Sequence, residues 1–399
     1  MNVKISDSVR YIGVDDLYID LFESQYEVPE GVSYNSYIID DEKIAVMDTV
    51  DRCMTAKWLE NLEKELNGRK PDYLVISHLE PDHSGSLDAF LKEYPETVIV
   101  ASAKALSMLP QFVTLPESVK TEGKKEGEKL SLGSHELTFF PAPMVHWPEV
   151  MVSYDAKDKI LFSADGFGKF GALSKTPDIR KADNPDVDLL EDWACEARRY
   201  YFNICGKYGA PVQALLKKAS ALDIEFICPL HGPILCEDLS FFTGLYDTWS
   251  SYKAETEGVF IAYASIHGNT EEAAKYLSEV LEKKGVRVAI TDLARDDMAE
   301  AVEDAFRHDR MVLAASSYDA GVFSPMQDFL HRLSHKAFQN RKVAIIENGS
   351  WAPSAARTIK ASLEGMKDIE IIGDTVTIKT TVTDENRKQI EELAGLLGG

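Results

Sequence analysis

The sequence predicts two α/β domains in one chain of 399 residues. A chain of this length holds two or three domains with sizeable cores. Short β-type runs punctuated by turns fill residues 1–252, whereas strands and amphipathic helices alternate regularly over residues 253–399. The pattern changes near SSYKAETE at residues 250–257, so we place the domain boundary after residue 252.

The C-terminal part, residues 253–399, has the pattern of a doubly wound parallel sheet. Strands that are separated by helices pair in parallel through crossover connections. The length suits a flavodoxin-like unit of five strands better than a longer six-stranded dinucleotide fold. The five predicted strands are GVFIAYAS, VRVAIT, RMVLAASS, KVAIIENGS and IEIIGDTVTIK.

The N-terminal part predicts α/β layers that include antiparallel strands. SYNSYIIDDEKIAVMDTV reads as two strands around a turn at Asp40 and Asp41, which are common turn residues, and the helix KWLENLEKELNG follows. Further strand candidates are YLVIS, TVIVAS, LTFFPAP, VMVSY, KILFSAD and EFICPL.

Composition excludes several classes of function. The net charge of −23 disfavours a nucleic-acid substrate, because an acidic surface repels phosphate backbones. No apolar run approaches the ~20 residues that span a bilayer, and no signal-peptide pattern is present, so we expect a cytoplasmic protein. The five cysteines form no CxxC pair, which argues against a disulfide framework, a zinc ribbon and a rubredoxin-type iron site.

Metal-ligand side chains follow four of the apolar runs in this first part. Residues just past strand ends tend to converge on one site. Seven ligands are too many for one tetrahedral metal but suit two metals that share a bridging carboxylate. Asp165 is the natural bridge, because a carboxylate has two oxygens whereas an imidazole has one free donor nitrogen. The candidate ligands are His78, Glu80, Asp82 and His83 in SHLEPDHSGS, then His146, Asp165 and His231.

Other histidines are expected to have structural roles. A single histidine at a strand end or on a helix is more often a hydrogen-bonded structural residue than a ligand. This interpretation applies to His135, His308, His331 and His335.

The first part resembles the metallo-β-lactamase fold, whose hydrolases carry HxHxDH after a strand. Here Glu80 stands where the zinc hydrolases have their second histidine. A carboxylate adds negative charge and a hard oxygen, which favours the higher oxidation state of iron. HxExDH is the pattern of the flavodiiron proteins, also called A-type flavoproteins. The resemblance implies an αββα sandwich in which one iron takes His78, Glu80 and His146, the other takes Asp82, His83 and His231, and Asp165 bridges them.

Three strand-end loops of the second part predict an FMN site. The first strand leads into hydroxyl-bearing and small residues at a helix N-terminus, and this arrangement is typical of a phosphate-binding loop. The loop contains no GKS or GKT, which excludes a Walker loop. The other two loops set aromatic residues beside glycine and serine, as suits a flavin ring. The candidate FMN contacts are Ser265, His267, Gly268, Asn269, Thr270, Ser316, Ser317, Tyr318, Asp319, Ala320, Asn348, Gly349, Ser350 and Trp351.

The resemblance implies an oxidoreductase that reduces O2 to water or nitric oxide to nitrous oxide. FMN would pass electrons to a non-haem diiron site, and both gases would use the same open site. It also implies a separate electron donor, either rubredoxin or a reduced deazaflavin, and a head-to-tail homodimer or a dimer of such dimers.

Two other functions are compatible with the same two-domain pattern. One is a zinc hydrolase of the β-lactamase fold fused to a flavodoxin-like domain, against which Glu80 and the flavin loops argue. The other is an electron carrier with a vestigial first domain, against which the intact set of seven ligands argues.

Overall fold

The computed structural model describes residues 5–176, 178–180 and 183–398. The outer limits of the two predicted domains, residues 1 and 399, lie outside the described residues. The chain divides into two compact units, Met1–Tyr201 with Ala210–Tyr246 and Phe202–Gly209 with Asp247–Gly399. The boundary after residue 252 stays a prediction.

The first unit contains two sheets that share one apolar core. The six-stranded sheet has the order β1-β6-β7-β8-β9-β10 and the five-stranded sheet the order β11-β12-β13-β14-β15, with small pairs β2-β5 and β3-β4 beside them. The strands are β1 (Val9–Tyr11), β2 (Val14–Asp16), β3 (Leu21–Phe22), β4 (Tyr26–Glu27), β5 (Val32–Tyr34), β6 (Tyr37–Ile39), β7 (Ala45–Met47), β8 (Tyr73–Ile76), β9 (Val98–Ser102), β10 (Thr121–Lys124), β11 (Lys129–Ser131), β12 (Glu136–Pro141), β13 (Met151–Asp155), β14 (Ile160–Phe162) and β15 (Phe226–Cys228).

Buried apolar side chains of both sheets form that core. Val75 and Val100 from the six-stranded sheet pack in the same cluster as Phe139 and Phe162 from the five-stranded sheet. Two sheets that bury one face each against the other make a sandwich, as the resemblance to the metallo-β-lactamase fold implies.

The helices of the N-terminal 250 residues lie between or after these strands in the chain. Helix α1 shows why they form, because its buried residues Trp58, Leu62 and Leu66 recur every four positions and so lie on one face. The α-helices are α1 (Thr55–Leu66), α2 (Pro81–Ser84), α3 (Leu87–Glu93), α4 (Ala103–Met108), α5 (Cys195–Ile204), α6 (Gly209–Ala219) and α7 (Leu239–Ser250), with short 3-10 turns at Arg52–Met54, Leu109–Gln111 and Gly206–Tyr208 and a π-helix at Leu190–Ala194.

The second unit is a doubly wound parallel sheet with the strand order β17-β16-β18-β20-β21, and this confirms the predicted fold class. This is the flavodoxin-type order. Its strands are β16 (Thr256–Ala264), β17 (Val288–Asp292), β18 (His308–Tyr318), β19 (Gly321–Val322), β20 (Arg341–Asn348), β21 (Ile369–Ile371) and β22 (Val376–Ile378), and its helices are α8 (Asn269–Lys283), α9 (Met298–Arg307), α10 (Ser324–His335), α11 (Ala355–Glu364) and α12 (Asp384–Leu397).

The fifth predicted strand is two strands rather than one. β21 pairs with the first half of β20 and β22 with the second half, both in parallel. Gly373 lies between them with a φ of +68°. A continuous strand cannot pass through that backbone conformation, so the chain leaves the sheet and rejoins it.

Among the described residues, no helix combines the length and the apolar character that crossing a bilayer requires.

Candidate metal centre and flavin loops

The four apolar runs singled out in the sequence become strands β8, β12, β14 and β15, which belong to the two sheets of the sandwich. Helix α2 begins directly after Glu80 and has Pro81 at its start. The Ser84 hydroxyl donates a hydrogen bond of 2.6 Å to the Leu79 carbonyl oxygen and so closes this turn. Because the chain turns here, one short segment supplies ligands on both sides of the site.

One group of candidate ligands consists of His78, Glu80 and His146. Glu80 Oε2 lies 3.1 Å from His78 Nε2 and 3.0 Å from His146 Nε2. Both histidines are buried, whereas Glu80 is half-buried. Three potential donor atoms therefore face one point.

A second group consists of Asp82, His83 and His231. Asp82 Oδ2 lies 3.3 Å from His83 Nε2 and 3.2 Å from His231 Nε2. All three side chains are buried. This group repeats the composition of the first, with one carboxylate and two imidazoles.

Asp165 lies between the two groups and directs one oxygen at each. Its Oδ2 is 3.4 Å from His78 Nε2 and 3.3 Å from His146 Nε2, whereas its Oδ1 is 3.2 Å from His83 Nε2 and 3.9 Å from His231 Nε2. The geometry is that of a carboxylate between two cations. The structure thus brings all seven predicted ligands together.

Charge interactions within the cluster outweigh the cost of burial. Burial lowers the pKa of His146, but hydrogen bonds to Asp165 and Glu80 raise it to about 9. Burial raises the pKa of Glu80, but hydrogen bonds from His146 and His78 lower it to about 2. Burial likewise raises the pKa of Asp165, but the charges of His83 and His78 hold it well below its ordinary value. The carboxylates stay ionised and require positive charge beside them.

Several buried polar atoms of the cluster have no hydrogen-bond partner among the described residues. They are both carboxylate oxygens of Asp82, both ring nitrogens of His83 and Oδ1 of Asp165. Buried polar groups without partners are costly and rare. Metal ions would satisfy these oxygens and the Nε2 atom of His83, and they would replace the positive charge that protonated imidazoles otherwise carry, so the residues fit a two-metal centre.

Two contacts that the sequence analysis did not predict fix the orientation of two rings. Glu149 Oε1 lies 2.8 Å from His78 Nδ1, and the Ser33 carbonyl oxygen lies 2.8 Å from His231 Nδ1. Such partners select which ring nitrogen is free to bind a metal. In the sequence, only its position three residues after His146, in HWPE, distinguishes Glu149. The contact of Ser33 has no sequence signature, because it is made by a backbone carbonyl.

A third cluster of acidic and histidine side chains, His135, Asp155 and Asp158, is of a different kind. His135 Nδ1 lies 2.8 Å from Asp155 Oδ2, and the Lys157 ammonium lies 3.0 Å from His135 Nε2. The lysine supplies the cation there, and this agrees with the structural role expected of His135.

A cavity of about 260 Å³ lies beside the metal-ligand cluster. It is smaller than the ~300–1,000 Å³ pockets that hold drug-sized ligands. It therefore suits a small molecule. Its lining consists of Ile19, Leu21, Phe22, Glu23, Ser24, Tyr34, Asp51, Glu80, Pro81 and Asp82.

The first predicted FMN loop lies at the N-terminus of helix α8. Gly268 precedes the helix with a φ of +89°, and a Cβ built there would meet no atom within 4 Å. No side chain caps this helix end, which leaves its N–H groups available for a phosphate. Ser265 Oγ accepts a hydrogen bond of 3.1 Å from the Gly268 N–H and shapes the loop, while His267 and Asn269 lie at its surface.

The other two predicted FMN loops lie next to the first. Thr270 Oγ1 is 2.9 Å from Ser316 Oγ, which joins the loops after β16 and β18. Asp319 and Ala320, both at positive φ, form the two-residue turn between β18 and β19. A Cβ on Gly349 would come within 2.8 Å of Ser317 Oγ, so the loop after β20 is close as well.

Individual residues of these two loops have different surroundings. Tyr318 is 53% exposed and Trp351 is 93% exposed, so both rings are available to stack on a flavin. Ser350 is also exposed. The Asn348 side chain donates a hydrogen bond of 2.9 Å to the Thr380 carbonyl oxygen and accepts one of 3.0 Å from the Thr380 N–H. These two bonds hold the end of β20 in place.

Comparisons with known proteins agree with this architecture. The family model described as ODP family beta lactamase matches residues 32–232, about half of the chain, and the flavodoxin model matches residues 261–392. The chain is similar in structure to a variant of the flavo di-iron protein of Thermotoga maritima, with a TM-score of 0.87, 26% identity, and coverage of 100% of this chain and 97% of that one. The chain belongs to the flavodiiron protein family. The seven clustered ligands lie within the ODP match, and the three flavin loops lie within the flavodoxin match.

Two further relatives of this flavodiiron protein carry functional names. One is the anaerobic nitric oxide reductase flavorubredoxin of Vibrio vulnificus, 28% identical over 91% of this chain and 73% of the relative. The other is the rubredoxin oxygen:oxidoreductase of Desulfovibrio gigas, with a TM-score of 0.89 and 26% identity over 100% of this chain and 98% of that one.

Proposed function

We propose that this chain is an oxidoreductase that reduces O2 to water, or nitric oxide to nitrous oxide, at a pair of iron ions fed with electrons by FMN. The observation that carries the proposal is the position of Asp165, with one oxygen facing each of two matched ligand groups. The names of the flavorubredoxin and of the rubredoxin oxygen:oxidoreductase point to the same two substrates.

The proposed ligands have distinct tasks. His78, Glu80 and His146 would hold one iron and Asp82, His83 and His231 the other, with Asp165 between them. When bound, the two irons and FMN supply one-electron transfers and open coordination positions for a gas. Glu149 and the Ser33 carbonyl keep two imidazoles in the tautomer that presents Nε2 to the metal.

The cavity beside the cluster would admit the gas. Phe22 packs edge-on against His231 with ring centroids 5.3 Å apart, and Tyr34 does so at 6.1 Å. These rings cover the second ligand group from the cavity side and limit access of large molecules. A volume of about 260 Å³ is ample for a diatomic gas.

The zinc hydrolase is less consistent with these residues. Glu80 contributes a hard carboxylate oxygen in place of an imidazole, and hydrolysis uses no electrons. A redox-silent zinc pair would leave the flavodoxin-like unit without a task. The electron carrier is also disfavoured, because such a protein needs no cluster of buried ionised ligands.

Electrons would reach FMN from a separate redox protein or cofactor, for which rubredoxin and a reduced deazaflavin are the candidates. The Desulfovibrio gigas relative is named as a rubredoxin oxygen:oxidoreductase.

We also propose a head-to-tail homodimer, in which a second copy covers the flavin loops. Trp351 supports it, because an aromatic side chain that is 93% exposed gains contact area when a partner covers it. Light scattering on the fully loaded protein is expected to give twice the mass of the chain. A monomer with full turnover would contradict this arrangement.

Gas consumption by the iron- and FMN-loaded protein tests the proposed activity. We expect a chemically reduced donor to support uptake of O2, of nitric oxide or of both, with nitrous oxide as the product from nitric oxide. A protein loaded with both cofactors that consumes neither gas would overturn the proposal.

A further inference from the structure

The second ring nitrogens of the candidate ligand histidines have unequal partners. His78 Nδ1 lies 2.8 Å from the Glu149 carboxylate, whereas His231 Nδ1 lies 2.8 Å from the neutral Ser33 carbonyl. His83 Nδ1 has no hydrogen-bond partner among the described residues. Of these three rings, only His78, which belongs to the first ligand group, is therefore in contact with a carboxylate through its second nitrogen.

Glu149 is held firmly in that position. Its side chain is fully buried, and its Oε1 also accepts a hydrogen bond of 3.1 Å from the Leu79 N–H. Its backbone carbonyl oxygen accepts a hydrogen bond of 2.7 Å from the Ser102 hydroxyl. Because water is excluded, the charge acts on His78 with little screening.

The two ligand groups are otherwise matched. Each offers one carboxylate of its own, two imidazoles and one oxygen of Asp165. Asp48, a buried carboxylate near His83, accepts a hydrogen bond of 2.7 Å from the Ser77 N–H and is not hydrogen-bonded to a ring. Glu149 differs in that its carboxylate is hydrogen-bonded directly to a candidate ligand ring.

We propose that Glu149 makes the two metal positions unequal, so that iron at His78, Glu80 and His146 has the lower reduction potential. A carboxylate that accepts a hydrogen bond from Nδ1–H makes the imidazole a stronger electron donor through Nε2, which would stabilise a ferric ion. In a redox titration, a one-electron mediator dye would then take the first electron from the diferrous protein at this position, and the dye would be reduced. The inference rests on the proposed diiron function, and Glu149 acts as a positioning residue because it touches a ligand and not the metal.

A redox titration of the iron-loaded protein, followed by electron paramagnetic resonance and by iron analysis, tests this inference. In Glu149→Gln we expect the lower of the two iron potentials to rise by at least 59 mV, a tenfold change in the one-electron equilibrium, while the upper potential moves less. Glu149→Asp keeps the charge but moves it away from His78, so we expect its lower potential to rise measurably but by less than in Glu149→Gln. Glu303→Gln, which changes a buried glutamate of the second unit, is the matched control and is expected to change neither potential.

The outcomes separate this inference from the proposed function. A shift of the upper potential alone, or no shift in an iron-replete Glu149→Gln protein, would overturn the inference. If Glu149→Gln loses its iron, the lower potential of Glu149→Asp decides, because the longer contact must raise it measurably and an unchanged value refutes the role. If the two iron potentials differ as expected but the protein reduces neither gas, the proposed function is overturned and the inference about Glu149 stands.

Discussion

Asp165→Asn is expected to leave at most one iron per chain and to lower gas reduction on the order of 100-fold or more, since loss of even an outer partner of a metal ligand costs 10- to 100-fold. Asparagine keeps the size of the side chain but has one oxygen and no charge. It cannot serve both ligand groups, which Asp165 approaches with separate oxygens. Iron analysis and gas-uptake rates on the purified variant measure both effects.

Asp155→Asn is the matched control for this variant. Asp155 is equally buried and also contacts a histidine, but it lies in the cluster around Lys157. We expect its iron content and rate to remain those of the native protein. Full iron occupancy in Asp165→Asn, or iron loss in Asp155→Asn, would show that the metals are bound elsewhere.

Gly268→Val is expected to weaken FMN binding at least tenfold, about 1.4 kcal/mol, while iron content stays at the native level. The residue has a φ of +89°, where a side chain costs about 1–2 kcal/mol. A valine there would also fill the open space at the N-terminus of helix α8, in which the phosphate is proposed to bind. Flavin absorbance after gel filtration and an FMN titration of the apoprotein measure the loss.

Gly285→Val provides the control at the other end of the same helix. Gly285 has a φ of +78° and also has no atom within 4 Å of a built Cβ. The two variants therefore suffer similar backbone strain, but only Gly268 lies in the proposed cradle. Equal loss of FMN in both would mean that a destabilised helix, and not a blocked phosphate site, explains the result.

The metal-ligand cluster was predictable from the sequence because its residues follow apolar runs directly. Strand β8 and the three strands that precede His146, Asp165 and His231 are clear apolar segments. Parallel and antiparallel pairing then brings their ends to one region. The sequence could therefore name the seven clustered residues as candidate ligands, although only the structure shows how Asp165 divides its two oxygens.

The surroundings of the cluster were not predictable in the same way. Leu21 and Phe22, which line the cavity, lie on the two-residue strand β3, which is too short to show any periodicity. Ser33 acts through its backbone carbonyl, which every residue has. Glu149 becomes distinctive only when its carboxylate is seen against His78.

The second unit was predictable in outline because its strands and helices alternate with clear periodicity. The split of the last strand depends on the backbone conformation of one residue, Gly373, and a glycine inside an apolar run has several possible meanings. Asn348 likewise matched a flavin loop by position, but its amide bonds the Thr380 backbone. Tertiary contacts decide such cases.

Metal and flavin analysis of the native protein, produced with iron and purified without oxygen, tests the central claim most directly. The seven clustered ligands and the three flavin loops predict about two iron ions and about one FMN per chain. About two zinc ions per chain with no iron would contradict the account and favour a hydrolase.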